Sequence, residues 1–198
     1  MKVQKQLQTI TPFAGISFVI EEFNNCGLSK LVDNTLGIRN LSGYQYSDIF
    51  RGWFSVFFAG GDVAEDIHCH LHGSLACIPD NSVPSADTLL RGIKELAIVS
   101  ETVQSTSGKE YQFNINHGMN GLNVKSLLLT GQLKEDEYYD FDYDNQIIEH
   151  EKYDAKRTYK HTTGYFPGVG TIGDKIVYVE NRDGNANVKT AQAETLGR

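Results

Sequence analysis

Asp142 and Asp144 are the side chains whose type and spacing most directly suggest chemistry. Carboxylate oxygens are natural ligands of hard cations such as Mg²⁺. Two such ions about 4 Å apart can activate an attacking oxygen and stabilise a leaving one. In the run from Tyr139 to Asp144 the aromatics Tyr139, Phe141 and Tyr143 alternate with Asp140, Asp142 and Asp144. A strand has a period of two, so it sends the rings to one face and the acids to the other. The same alternation also suits an acidic edge strand that resists aggregation, and both readings stand at this level. A second group is His68, Cys69, His70, His72 and Cys77. On a helix His68 and His72 share a face and can bind zinc with Cys77 and one more ligand. The spacing contains neither a CxxC pair nor a finger pattern, and free cysteines with surface histidines account for the same letters. Gly164, Gly168, Gly170 and Gly173 match no phosphate-loop pattern and read as turns between strands. No GxSxG elbow is present, so a serine hydrolase is not supported. The densest basic stretch is Lys152, Lys156, Arg157 and Lys160 with His161, which suits either a phosphate contact or a solvated face.

These residues must be positioned by elements that the sequence also outlines. Phe13, Ile16, Val19, Ile20 and Phe23 recur at helical steps, and the stretch ends at Asn24-Asn25-Cys26-Gly27. Leu28 to Leu36 reads as a second helix. Tyr46 to Phe58 reads as a third, capped by Ser47 and apolar nearly all round, hence expected to be buried. Asp62 can cap a helix running to about Leu71, and Ser85 or Asp87 another through Leu89, Ile93 and Leu96. Residues 1–107 are therefore expected to form a small helical domain, and 108–137 a turn-rich connection with one helix over Leu122 to Leu129. From 138 the period changes to two. Strands are expected around Phe141, over Tyr159 to Thr163, over Tyr165 to Thr171 (weakened by Pro167) and over Lys175 to Asn181. Gly173-Asp174 marks a hairpin, residues 182–187 a loop, and Val188 to Leu196 the start of a helix. The expected class is α+β, with the acids carried by a central strand of the sheet.

Composition sets the outer limits. The chain has 198 residues, 40% of them apolar and 22% charged, enough to build a core. No segment approaches the ~20 apolar residues of a membrane span, and the start MKVQKQLQTI lacks a secretory h-region. Three cysteines without a paired framework fit a reducing cytoplasm. A net charge of -7 argues against indiscriminate capture of nucleic acid, though not against a local basic patch.

Several short motifs occur in an order that resembles one family, the insertion-sequence transposases of DDE group 1. Leu7 to Phe18 is similar to its threonine, aromatic and glycine opening, and Gly60-Gly61-Asp62 with Glu65-Asp66 to its GGD element. Pro84 to Thr88 with Arg91 resembles PSxDTxxR, Phe141 to Asp144 a DxD strand, Gly164 to Pro167 GYxP, and Arg182 with Gly184-Asn185-Ala186 RxGNA. The resemblance implies a helical DNA-binding region followed, over 138–198, by the first strands and helix of a ribonuclease-H-like catalytic domain. It implies binding to the terminal inverted repeats of the protein's own element, and Mg²⁺-dependent cleavage and transfer of DNA strands by two aspartates and a glutamate. Asp144 or Asp142 corresponds to the first of these, and Gln146 replaces a threonine that would favour Asp144. DNA contacts are expected from Lys152, Lys156, Arg157, Lys160, Arg182 and Arg91. The family's second Asp and its Glu correspond to positions past Arg198, so this chain alone is expected to be inactive. The alternative expectation is a non-catalytic DNA-binding or dimerising fragment that modulates an intact transposase, as a homodimer or heterodimer.

Overall fold

In a computed structural model, which describes residues 11–78 and 81–197, the chain divides between Leu96 and Ala97 into two units. The first unit is helical. Helix α1 (Ile16–Asn25) buries Ile16, Ile20 and Phe23, the stripe its periodicity defines. It stops at Gly27, whose φ of 89° a side chain would disfavour, and α2 (Leu28–Leu36) follows at once. Helix α3 (Tyr46–Phe58) begins where Asp48 accepts the Gln45 N–H at 2.8 Å. Gln45, rather than Ser47, is therefore the cap. Ser47 instead donates its backbone N–H (2.9 Å) and hydroxyl (2.8 Å) to Asp33, tying the end of α2 to the start of α3.

A π-helical turn (Ile67–Leu71), α4 (His72–Leu75) and α5 (Ala86–Glu95) close over α3. Ser85 caps α5 by accepting the Thr88 N–H. Helices α3 and α5 approach closely through two glycines. A Cβ on Gly52 would lie 2.7 Å from Leu89, and one on Gly92 would lie 2.8 Å from Ile49. The core of this unit joins Ile16, Ile20, Ile49, Val56, Ile67, Leu71, Leu75, Ile78 and Leu89. Each fully buried aliphatic side chain contributes roughly 1.5–3 kcal/mol through removal from water.

The second unit is built on β-structure. A hairpin of β1 (Glu101–Gln104) and β2 (Glu110–Asn114) leads to α6 (His117–Leu129), then β3 (Phe141–Asn145). After β4 (Ile148–Glu149), β5 (Lys156–Arg157) and β6 (Thr163–Tyr165) come β7 (Gly168–Ile172), β8 (Lys175–Arg182) and α7 (Gln192–Leu196). The larger sheet has the order β1-β2-β8-β7-β3, and the smaller β4-β6-β5. Every strand pair in both is antiparallel. Tyr111, Phe113, Ile115 and Ala186 form a core on one side of the larger sheet.

The α+β class stands, but the helical part ends before residue 107. Residues 101–114 form a hairpin, since Glu101-Thr-Val-Gln104 and Glu110-Tyr-Gln-Phe-Asn114 alternate around a turn at Gly108 (φ 79°). Helix α6 also starts earlier than Leu122, because the Asn116 side chain caps it by accepting the Met119 N–H at 3.0 Å. Pro167 separates β6 from β7 and so interrupts the strand expected over Tyr165 to Thr171. Helix α3 is only half covered: Phe54, Phe57 and Phe58 are exposed, so its all-round apolarity does not mean full burial. Of the Leu7–Phe18 opening element, residues 7–10 lie outside the described residues.

The acidic face of strand β3 as candidate functional site

Strand β3 lies against β7 with Asp142 opposite Thr171 and Asp144 opposite Val169. Its aromatics turn toward glycines on β7. A Cβ on Gly168 would fall 1.8 Å from the Tyr143 hydroxyl, and one on Gly170 would fall 2.5 Å from the Phe141 ring. These two glycines are thus not turn residues, as their spacing alone suggested. They leave room for rings to lie across the neighbouring strand. With the rings fixed on that side, the pleat sends Asp142 and Asp144 to the opposite face, where both are exposed. Separation of rings from acids thus follows the sequence pattern. The strand's place in the sheet does not: β3 is at the edge, paired only with β7 among the described residues. The tight turn at Gly173 and the continuation of β8 onto β2 put the middle of the sheet at β8 instead.

Beneath the ring side of β3 lies a buried polar network. Glu180 and Arg182, both on β8, are each 1% exposed. The Tyr143 hydroxyl donates to Glu180 Oε1 at 2.7 Å and the Tyr178 hydroxyl to Oε2 at 2.8 Å. Arg182 donates from Nε to Glu180 Oε1 at 2.6 Å, and its Nη2 stands 2.5 Å from the same oxygen. The rest of the guanidinium donates to the carbonyls of Val188 and Thr190 and to the Thr195 hydroxyl. Its plane also lies 4.5 Å from the Phe113 ring centroid. Burial, and then the hydrogen bond to Glu180, push the Tyr143 phenol well above its ordinary pKa. Arg182 is therefore corrected from a DNA contact to an internal strut. It has no donor to spare and no path to solvent. Glu180 escaped the sequence reading altogether. The available signal was Tyr178, Glu180 and Arg182 at a spacing of two in a strand otherwise rich in valine.

The donor set sets a limit on metal binding. Asp144 accepts the backbone N–H of Asn145 at 2.8 Å through one carboxylate oxygen. Asp142 and Asp144 can offer oxygens on one face, but among the described residues no group of three or more His, Cys, Asp or Glu stands together as a metal site. Among the described residues, Asp142 and Asp144 can supply part of a magnesium site. Of the zinc candidates, the His68 and His72 rings are 6.5 Å apart and tilted, and the Cys77 thiol donates to the Gly73 carbonyl at 3.0 Å.

The basic stretch is divided by its own strand. Lys156 and Arg157 are successive residues of β5 and so face opposite ways. Lys156 lines a cleft of about 230 Å³ together with Asp154, Tyr165, Arg182 and Asp183, so acids and bases are mixed there. There the Tyr165 hydroxyl donates to Asp154 at 2.6 Å; this bond pushes the phenol up to about 12 and holds the Asp154 carboxyl below its usual range. Lys152 and Lys160 are exposed outside the strands, with Glu149 and Glu151 nearby in sequence. Arg91 is exposed on α5 in the helical unit, one turn before Glu95.

No protein-family model, no curated protein and no solved structure matches this chain.

Proposed function

We propose that the chain belongs to a DNA-transposing protein of the DDE type, whose ribonuclease-H-like domain begins at β3. In this reading Asp144 or Asp142 is the first of its metal-holding carboxylates. The supporting observation is the presentation of that acidic pair. Both aspartates project from the open face of a strand that leads through the β7–β8 hairpin to a helix. A strand fixes a ligand more firmly than a loop does, and an i, i+2 pair points both carboxylates at one volume. Magnesium, when held by such carboxylates together with others, would supply charge stabilisation to phosphoryl transfer. In this reading the 198-residue chain is expected to bind DNA without cutting it.

Binding is tested on duplexes carrying the inverted repeats that flank the protein's own reading frame, against scrambled duplex, at two salt concentrations. A specific complex prefers the repeats by roughly 10³-fold or more. Equal affinity for both, vanishing with salt, refutes end recognition. Cutting of an end-containing duplex with Mg²⁺ by this chain, lost in Asp144→Ala or Asp142→Ala, would refute the expected inactivity.

A second reading is favoured by the edge position of β3, where exposed acids also serve to resist aggregation: a non-catalytic module that binds DNA or an intact transposase and modulates it. It predicts end binding that is indifferent to Asp142→Asn and Asp144→Asn. It also predicts slower strand transfer when the chain is added to an intact enzyme.

A further inference from the structure

We infer that a cavity beside β1 takes an extended, uncharged stretch of polypeptide, which adds to the larger sheet as a further strand. The inference stands independently of the DNA reading. The cavity, of about 690 Å³, lies within the β-rich unit between the β1–β2 hairpin and residues 187–194. That volume falls in the range of specific ligand sites, roughly 300–1,000 Å³. Thr102, Val103 and Gln104 line it in succession. A cavity over one face of a strand touches alternate residues, so three in a row place this one along the strand's edge. Strand β1 is outermost in its sheet, and the edge in question is the one that β2 does not cover.

The backbone bonds fix which groups face that edge. Ser105 donates its N–H to the Lys109 carbonyl at 2.8 Å. Gln112, opposite Thr102, turns the other way: its N–H goes to the Asp183 carboxylate at 2.9 Å, and its carbonyl accepts the Asp183 N–H at 3.0 Å. Hydrogen-bonded and open pairs alternate along an antiparallel ladder. Val103–Tyr111 and Glu101–Phe113 are therefore the bonded pairs, and the N–H and C=O of Thr102 and Gln104 point outward. A donor and an acceptor repeating at every second residue is the pattern that another strand completes.

A buried phenol points to the same ligand. Tyr111 is 7% exposed and lines the cavity. No described residue hydrogen-bonds its hydroxyl. The sealed polar side-chain atoms without a partner among the described residues are Arg51 Nε, Trp53 Nε1 and Asn145 Oδ1, so the Tyr111 hydroxyl is not closed off and opens into the cavity. Tyr111 and Val103 are cross-strand partners and share a face. A strand laid on β1 seats one residue beside Val103 with its side chain on that face, within reach of the phenol. A hydroxyl or amide there gives the Tyr111 hydroxyl the partner it lacks.

Charge and backbone chemistry narrow the occupant further. The far wall carries Lys189 and Glu194, one of each sign, so a chain of phosphates would meet repulsion as well as attraction. A neutral segment meets neither in excess. Proline has no N–H to donate and is excluded where the segment bonds to Thr102 and Gln104.

Selection of displayed random heptapeptides on the full chain, followed by fluorescence anisotropy of the best synthetic peptide, tests this. The enriched peptides are expected to lack proline at alternate positions and to carry a hydroxyl or amide side chain between them. The bound peptide should slow amide exchange at Thr102 and Gln104. Gln104→Pro removes an outward N–H without taking a bond from β2; with unchanged circular dichroism, it is expected to weaken binding about tenfold or more. Tyr111→Phe is expected to weaken it about three- to tenfold, the loss of one hydrogen bond. Should Gln104→Pro misfold, the same peptide N-methylated at its bonding amides makes the test on wild type, with the same weakening expected. No enrichment, a bound peptide that leaves those two amides exchanging freely, or an affinity indifferent to the folded variants or to N-methylation overturns the proposal. So does displacement of the peptide by single-stranded DNA at equal concentration, which would give the cavity to nucleic acid instead.

Discussion

Replacing Arg182 by methionine should destabilise the β-rich unit severely while sparing the helical one. The variant keeps the volume of the side-chain stem but removes the charge facing Glu180. The carboxylate then stays buried beside the hydroxyl donors of Tyr143, Tyr178 and Thr195 without its guanidinium partner. The carbonyls of Val188 and Thr190 lose their donor at the same time. Removing one partner of a buried ion pair costs about 3–5 kcal/mol, because an uncompensated charge remains inside. A domain of this size has roughly 5–15 kcal/mol of stability in total, so a large share would disappear. The thermal midpoint should fall by about 12 °C or more, at roughly 4–8 °C per kcal/mol. Urea unfolding followed by two probes resolves the effect. Trp53 reports the helical unit, and the β-sheet dichroism with tyrosine fluorescence reports the other. The double variant Glu180→Gln with Arg182→Met removes both charges and should recover much of the loss, giving a coupling of at least ~1 kcal/mol. A shift under ~1 kcal/mol for Arg182→Met, or equal movement of both transitions, would show that the network is not what holds β8 to β3.

Other outcomes follow from the same geometry. Gly168→Ala places a Cβ where the Tyr143 hydroxyl sits, and should cost about 1–3 kcal/mol and release β3 to fast amide exchange. In α5, Gly92→Ala gains up to ~1 kcal/mol of helix propensity but pushes into Ile49, and a net loss in the Trp53-monitored midpoint is expected. Asp142→Asn with Asp144→Asn should leave stability within ~0.5 kcal/mol, since both side chains are exposed; a larger loss would assign them a structural role. Arg39 donates to both oxygens of Glu95, at 2.6 and 3.0 Å, and holds that carboxyl below its ordinary value of 4.5. The stabilisation is complete above the ordinary value and is lost as pH falls through the lowered one. Urea midpoints of the helical unit should therefore drop on acidification below about pH 4.5, less steeply in Glu95→Gln. Parallel slopes would refute the assignment.

What could be read from the sequence was whatever repeats with a local period. The stripe of α1, the bounds of α2 and α3, and the split of rings from acids in β3 all follow from spacing alone. The β7–β8 hairpin was legible from Gly173-Asp174. Long-range consequences were not. Whether Phe141 to Asp144 lies at the middle or the edge of a sheet depends on which strands pair with it, and those pairings join residues far apart. The inward turn of Arg182 depends on Glu180, whose partners come from β3, β8 and the segment near Thr195. Short strands such as β4 and β5 carry two residues each, too few for periodicity to register. Spacing thus separated the acids of β3 from its rings but gave no view of the scaffold beneath them.

One hydrogen-bonding arrangement on the far side of β8 has a bearing on all of this. Asn120 of α6 donates its amide to the Val179 carbonyl at 2.9 Å and accepts the Val179 N–H at 3.0 Å. An amide side chain has one acceptor and a donor group side by side, so it can match the N–H and C=O of a single residue as a neighbouring strand would. The helix thereby reads the position of the strand along its own axis. A slip of β8 by one residue would break both bonds and turn Glu180 and Arg182 outward in the same movement. Asn120 is in this sense a detent for the sheet, keeping the charged pair inside and the aspartates of β3 facing out.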